Sequence, residues 1–280
     1  MPPDVALPAA RWRARLALEF ERRDARSVLA SRRHDGPLVV QKPLYPEGDA
    51  VCHVIVVHPP AGIAGGDELV IDIIARRGAG TLLTTPGAGK WYRSAGAWAQ
   101  QRVAIDAEAG STVEWLPQET IVYDGALADI AWEARISGDA RLIAWDILCL
   151  GRTGSGERFE RGRCRLATRL WRDGLLAFAE KGRIEPGAPL AAAVAGLAGH
   201  SVFGTMMVAA PAIEDAWLAA CREASPRDGE GAVTRLPGLL VARYRGDSSE
   251  AAREYFTALW TRMREPVLGR AAIEPRIWRT

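Results

Sequence analysis

Three stretches in the middle of the chain repeat one order of elements, and this repeat limits the fold more than any other feature. They read VIDIIARRGAGTLLTTPGAGKWYR, VAIDAEAGSTVEWLPQETIVYDG and AWEARISGDARLIAWDILCLGR. In each, a turn at Gly78, Gly110 or Gly138 joins two strand-like runs, and a short apolar piece follows; the glycines are 32 and then 28 residues apart. A strand-built unit of about 30 residues predicts stacked coils, as in a β-solenoid. An ordinary meander with evenly spaced turns explains the pattern equally well.

The first 185 residues read mostly as strands, and the last third adds helices. Apolar runs separated by glycine and Asx residues predict a β-rich body over residues 1–187. Residues 188–280 predict a strand, a helix over 211–224, a hairpin around Pro237-Gly238 and a helix over 248–266 that Pro266 ends. The predicted fold is mostly β: a β-helical, stacked-strand body with a small C-terminal α/β subdomain of βαββα order that carries two helices, packed together as one unit.

Composition and charge are those of a soluble globular protein. The chain has 280 residues, 48% hydrophobic and 25% charged, with a net charge of +2. This balance predicts no nucleic-acid or membrane partner, and the most apolar stretch, APLAAAVAGLAG, is too short to span a bilayer. The cysteines share no CxxC spacing, and the N-terminal residues show no signal-peptide core. We therefore expect a reducing, cytoplasmic location.

Motifs of catalysis and cofactor binding are absent from the sequence. TTPGAGKWYRS contains a GAGK, but Thr84 stands where a phosphate loop needs its first glycine, and Trp91 follows the lysine. There is no GxSxG, and Cys149 lies in an apolar run typical of an inert thiol. His53 and His58 lie on one predicted strand at a spacing that points them to opposite sides. We predict no catalytic residue, no closed metal site and no tightly bound cofactor.

Acidic residues stand among apolar strand residues at three places. Asp67 follows a double glycine, Asp146 lies within LIAWDILCL, and Glu180 lies within LLAFAEKGRI. Because burying an unpaired charge is costly, such a group has a partner, a water-filled space or a function. Pairing with one of the many arginines of the chain is the structural alternative for each of them.

The longer motifs occur in the same order in one known family. HPPAGIAGGDEL, TTPGAGKWYRS, EWLPQETIVYDGA, LIAWDILCLGRTGSGERF and the terminal EPRIWRT resemble, in order and spacing, the urease accessory protein UreD, called UreH in some organisms. The upstream HDGPLVVQKPLYPE fits as well, so the resemblance runs from about residue 12 to the last residue. It implies a mostly β, β-helical body with two helices, and it therefore favours stacked coils over a meander.

The resemblance also implies a function without catalysis. Members of the family bind apo-urease and accessory protein F, which recruits the GTPase accessory protein G carrying nickel. A water-filled tunnel through the family's fold is proposed to convey nickel toward the urease active site. By motif match, Asp67, Asp146 and Glu180 fall at tunnel positions, and so does Gly89, where the family usually has Ser or Thr. The implied cofactor state is nickel in transit, with none tightly bound.

The chemistry of Ni²⁺ suits such a conduit. The ion accepts imidazole, carboxylate and water ligands, and isolated carboxylates in a wet channel attract it without retaining it. Those carboxylates need water or hydrogen-bond donors beside them, because a dry site raises their pKa. Two alternatives stay open: a β-helical lyase or hydrolase acting on an acidic polysaccharide, which would be secreted, and a scaffold that only holds partners together.

Further motif residues are predicted to shape the backbone. In HPPAGIAGGD the prolines fix the exit from strand 51–57, and the glycines allow a tight turn that delivers Asp67 toward the interior. The tail, Pro275, Arg276, Ile277 and Trp278, either docks a partner or closes the core. The predicted structural residues are His58, Pro59, Pro60, Gly62, Gly65, Gly66, Lys90, Tyr92, Arg93, Trp115, Pro117, Gln118, Gly151, Arg152 and Glu157.

Overall fold

The computed structural model describes residues 12–60 and 62–279. The N-terminal residues on which the expectation of no export signal rests lie mostly outside this part. About 48% of the structure is strand and 15% helix, which confirms the predicted mostly β fold. The strands are β1 Arg13–Arg23, β2 Arg26–Asp35, β3 Val39–Val40, β4 Cys52–Val57, β5 Gly62–Ile63, β6 Glu68–Ala75, β7 Gly80–Thr84, β8 Gly89–Trp91, β9 Ala99–Ala107, β10 Thr112–Trp115, β11 Thr120–Val122, β12 Leu127–Ile136, β13 Arg141–Leu150, β14 Arg163–Arg172, β15 Leu175–Ile184, β16 Val202–Ala209, β17 Glu230–Leu236 and β18 Leu239–Gly246; the helices are α1 Pro189–Ala192, α2 Asp215–Arg222 and α3 Ser249–Leu268.

These strands form two sheets that share one apolar core. The seven-stranded sheet has the order β2-β1-β6-β9-β12-β14-β15, and the eleven-stranded sheet follows the path β3-β4-β7-β10-β13-β16-β18-β17 with β5, β8 and β11 beside it. Neighbours from β1 to β14 and from β4 to β13 pair in parallel. Parallel neighbours require a crossover, and here the chain alternates between the sheets. The stacked coils are confirmed, and the antiparallel meander is wrong.

Turn glycines hold successive coils in register. Gly78, Gly110 and Gly138 have φ angles of 71°, 75° and 56°, a region that favours glycine. The amide of Gly110 donates to Asp139 of the next coil, and the amide of Gly138 donates to Asp173, each at 2.7 Å. An aspartate from each coil thus satisfies a backbone donor in the turn before it. This contact explains why the turns recur with the coil period.

The C-terminal part continues the eleven-stranded sheet, since β16 pairs antiparallel with β13 of the body. The predicted order of strand, helix, hairpin and helix is present from β16 to α3. The prediction of two helices omitted α1, a single turn within the alanine-rich stretch at residues 189–192. The prediction that Pro266 ends the last helix is wrong. Pro266 lies inside α3, which ends at Leu268 and is followed by the C-cap Gly269 with a φ of 70°. A proline in a final turn removes one hydrogen bond, and buried Val267 and Leu268 anchor that turn to the core.

Helix α3 covers the outward side of the eleven-stranded sheet and forms a second core cluster with it. Its N-terminus is capped by Ser248, whose side chain accepts a hydrogen bond from the amide of Ala251 at 3.1 Å. The apolar face of α3 buries Trp260 and Phe256, and the Phe256 ring stacks on Trp145 of β13. The outward side of the seven-stranded sheet, in contrast, presents charged residues to solvent, because its strands alternate buried apolar with outward polar positions.

Candidate functional site

Two cavities meet between the sheets at Asp146. The edge cavity, of about 530 Å³, lies between β15 of the seven-stranded sheet and β16 and β18 of the other sheet. The loop cavity, of about 350 Å³, lies under the segment that contains His58 and the segment that contains Gly89. The two cavities share four lining residues: Ile130, Trp132, Asp146 and Leu148.

Asp146 is the acidic residue of this shared wall. It lies deep between the sheets, yet it keeps some accessible surface because both cavities open onto it. Burial raises the pKa of its carboxyl group to about 7, and a hydrogen bond with the Trp132 side chain acts in the opposite direction. Near neutral pH the group therefore exchanges readily between its protonated and charged forms.

Glu180 lines the edge cavity, but it is not an isolated carboxylate. Both of its oxygens accept hydrogen bonds from the guanidinium of Arg243 on β18 at 2.8 Å, and Arg243 also donates to Thr205 at 2.7 Å. About 42% of each side chain of the pair is exposed. Since Glu180 belongs to one sheet and Arg243 to the other, this ion pair bridges the sheets at the cavity mouth. Glu180 is therefore paired with an arginine, which is the structural alternative given above for each of the three acidic residues.

Asp67 closes the proline- and glycine-rich loop. It is 7% exposed, and its carboxylate accepts hydrogen bonds from the amides of Ala64 at 2.8 Å and Trp12 at 3.1 Å. The turn needs Gly66, which has a φ of 101°. Asp67 is buried as expected, but it is not among the described residues that line the edge cavity or the loop cavity. Asp67 therefore lies outside both linings, although its charge acts on His58, which lines the loop cavity.

The loop cavity gathers several of the predicted structural residues together with Gly89, which the resemblance placed at a tunnel position. Burial lowers the pKa of the half-buried His58, although the nearby charge of Asp67 opposes this, so a neutral imidazole faces the cavity. Gly89 leaves open space: no heavy atom lies within 4 Å of an added Cβ. The motif residues on this wall are His58, Gly89, Lys90, Trp115, Pro117 and Gln118. Their separation in sequence hides that the coils stack them in one place.

The remaining motif residues lie in the loops and contact one another there. The ring of Tyr92 occupies the space where a Cβ on Gly62 would lie, and it meets Tyr123 edge-on at 5.3 Å between ring centroids. Gly65 lies against Ser94 in the same way. Other positions of this kind are Pro59 and Pro60 in the turn, Arg93 beside Asp124 at 3.8 Å, Gly151 at φ 83°, and the Arg152–Glu157 ion pair at 2.7 Å.

The C-terminal tail packs against the second core cluster. The Trp278 ring lies 5.4 Å from that of Trp145 and 5.6 Å from that of Trp260, and its Nε1 donates to Thr84 at 2.8 Å. Pro275 is buried, whereas Arg276 is exposed; Ile277 lines a surface depression beside it. Of the two roles left open for the tail, this geometry supports closing the core.

A buried ionic network was not predicted from the sequence. Arg264 of α3 is fully buried and donates to Glu114 at 3.0 Å and to Glu47 at 2.5 Å, while His53 contacts Glu47. Trp260 donates to Glu114 at 2.6 Å. Burial raises the pKa of Glu47, but the hydrogen bonds from His53 and Arg264 outweigh it and hold that pKa below its usual value. The network ties α3 to the β-helical body.

The part of the chain that the structure describes contains no binding site for a tightly held metal ion. Residues 12–60 and 62–279 contain no group of three or more His, Cys, Asp or Glu side chains able to hold a metal ion. Burial raises the pKa of the Cys149 thiol to about 12, in agreement with an inert thiol. In the same residues, no helix combines the length and apolar character needed to cross a membrane.

Comparison with known proteins decides the family. The model of the family "UreD urease accessory protein" matches residues 13–279. The chain belongs to the UreD family. It is 57% identical to the urease accessory protein UreD of Azoarcus sp. (strain BH72), with 96% of this chain and 94% of that protein aligned. The UreD proteins of Dechloromonas aromatica (strain RCB) and Pseudomonas aeruginosa (strain PAO1) are 52% and 46% identical, over 96% and 99% of this chain and 95% and 98% of theirs.

Membership in the UreD family confirms the resemblance read from the motifs and gives the chain a role in urease maturation. The relatives are named accessory proteins, which agrees with a role other than catalysis. Nothing in the UreD assignment favours the alternative of a carbohydrate-active lyase or hydrolase.

Proposed function

We propose that this chain is a urease maturation scaffold that binds apo-urease and accessory protein F, with the GTPase accessory protein G, and conveys nickel ions between its two sheets. The observation that carries the proposal is the shared wall at Asp146, which adjoins a cavity on each side. The ion enters one cavity, passes the carboxylate and leaves through the other. Nickel is the cargo in this account, and the protein keeps none of it.

The chemistry of the lining supports passage over storage. Ni²⁺ binds carboxylate, imidazole and water, and a stable site needs several of these ligands together. The two cavities offer Asp146 at their shared wall, a neutral His58 in one and Arg243-paired Glu180 in the other. Because these groups do not form a closed set, an ion held by one of them exchanges its remaining ligands with water. Such weak, successive contacts allow the ion to move on.

The test compares Asp146→Ala with Asp106→Ala in a co-expressed urease system. Asp106 is a matched control because its carboxylate is on the outward side of β9 and half of its side chain is exposed. We expect both variants to co-purify with apo-urease and accessory protein F. Urease isolated with Asp146→Ala should contain less nickel and show less activity, whereas Asp106→Ala should match the unmodified protein.

The alternative of a scaffold without an ion path predicts a different outcome. If Asp146→Ala supports normal nickel loading while all complexes form, the conduit is refuted and the role of holding partners together remains. If the variant loses its partners as well, nickel content is compared within the fraction of complex that does form, so that scaffold and conduit effects are measured separately.

A further inference from the structure

The outward side of the seven-stranded sheet carries a trough of about 620 Å³. Its floor is formed by Ala131 on β12 and Ala167 on β14, which are direct register partners. In the same row, Arg102 on β9 lies beside Ala131, and Lys181 on β15 lies beside Ala167. Two methyl groups between two long cationic side chains leave a depression open to solvent, with a cation on each rim.

Five cationic residues line the trough, and one of them, Arg183, is paired with Glu185 at 2.7 Å. The other four have no acidic partner within the described residues. Arg102, Arg169 and Lys181 are exposed, and no hydrogen bond or ion pair involves their side chains within the described residues. Arg165 lies above the ring of Trp98, with its guanidinium carbon 3.9 Å from the ring centroid, and it has no acidic partner in the same part of the chain. Four cationic groups are therefore free to bind an anion from outside.

The acidic residues of the trough do not neutralise this charge. Asp72 is paired with Arg15 at 2.7 Å, and Glu133 is paired with Arg135 at 2.8 Å. Asp129 remains as an acidic side chain without a cation within 4 Å among the described residues. The trough thus has an excess of uncompensated positive charge, although the net charge of the whole chain is only +2.

We propose that this trough is a docking surface for an acidic segment of a partner protein. The carboxylates of this acidic segment pair with Arg102, Arg165, Arg169 and Lys181, and the backbone of the segment passes over the alanine floor. Arg102 and Lys181 are separated by three strand spacings, or about 14 Å, which an extended segment of about four residues spans. We favour a protein segment over a nucleic acid because the net charge of the chain is only +2, which gives little long-range attraction for a polyanion.

The test uses a fluorescent octaglutamate peptide and the full chain, with binding followed by anisotropy. We expect binding that weakens as salt is added, because the contacts are exposed charges. The double variant Arg102→Glu/Lys181→Glu should bind at least about tenfold more weakly, since two contacts become repulsive. The matched control Arg32→Glu/Arg262→Glu changes the net charge equally on two exposed arginines outside the trough and should stay within about twofold of the unmodified protein.

Each remaining outcome bears on the proposal. Failure of octaglutamate to bind the unmodified protein, or equal weakening by the trough and control variants, would overturn it. Tighter binding of a single-stranded oligonucleotide than of octaglutamate at the same trough residues would also overturn it in favour of nucleic acid. Conversely, octalysine should bind Arg102→Glu/Lys181→Glu better than it binds the unmodified protein, and circular dichroism should show both double variants folded.

Discussion

The carboxyl group of Asp146 makes stability depend on pH in a way that Asp146→Asn should abolish. Its pKa is about 7 in the folded protein, above the value of 3.8 for an ordinary aspartate. A group whose pKa rises on folding stabilises the fold in full below its unfolded pKa, and this contribution is lost as pH rises through the folded pKa. The unmodified protein should therefore lose stability between pH 4 and 8 relative to the variant, because asparagine stays neutral.

The size of this effect follows from the difference between the two pKa values. A change from 3.8 to about 7 corresponds to about 4 kcal/mol of preference for the neutral form in the folded state. The two adjoining cavities have room for water, which would screen part of this cost, so we expect a change of about 2–4 kcal/mol between pH 4 and 8. This is a large fraction of the stability of a typical domain.

Urea unfolding at a series of pH values measures this change in stability. The free energy of unfolding is obtained by linear extrapolation for the unmodified protein and for Asp146→Asn, and their difference is plotted against pH. Taking the difference cancels the other titrating groups. We expect the variant to gain relative stability as the pH rises from 4 to 8. Parallel pH profiles for the two proteins would refute the reasoning, because they would mean that folding leaves the pKa of Asp146 unchanged.

Other perturbations test the surrounding structure. Arg264→Met should lower the free energy of unfolding by about 3–5 kcal/mol, because it leaves buried carboxylates unpaired. The control Arg262→Met, on the exposed side of α3, should cost less than about 0.5 kcal/mol. Urea unfolding measures both changes, and equal effects would contradict a stabilising network. Gly89→Ser should leave urease activation unchanged, whereas Gly89→Trp should reduce the nickel content of urease, because the open space at position 89 accepts a small side chain but a large one would obstruct the loop cavity. Equal nickel contents in urease from the two variants would contradict a path through the loop cavity. Asp67→Ala should cost about 1–3 kcal/mol in unfolding free energy, because the amides of Trp12 and Ala64 lose their acceptor; an unchanged free energy of unfolding would contradict this structural role of Asp67.

The sequence pattern predicted a strand-built body with periodic turns because its determinants are local, but only the family resemblance favoured stacked coils over a meander. Gly78, Gly110 and Gly138 mark positions that need a left-handed backbone, and the coil period is visible as their spacing. The end of α3 was misjudged because Pro266 signals a stop locally, while the buried Val267 and Leu268 extend the helix through tertiary contacts. Helix ends depend on packing that a single sequence shows only in part.

The site was harder to predict because its contacts join distant residues. Asp146 was identifiable as an acid in an apolar strand, but nothing near Glu180 in sequence shows that Arg243, 63 residues later, binds it. Arg264 and Glu114 are 150 residues apart, so their ion pair gives no local pattern. His58 and Gly89 belong to separate motifs, and only the stacking of the coils places both on the loop cavity.

The most direct measurement is to locate nickel inside the folded protein. Crystals of the chain in complex with its maturation partners, soaked briefly with Ni²⁺, would be measured at the nickel absorption edge. Our account predicts anomalous density between the two sheets beside Asp146, and its loss in Asp146→Ala. Nickel bound solely on the outer surface, with the space beside Asp146 empty in both proteins, would contradict it.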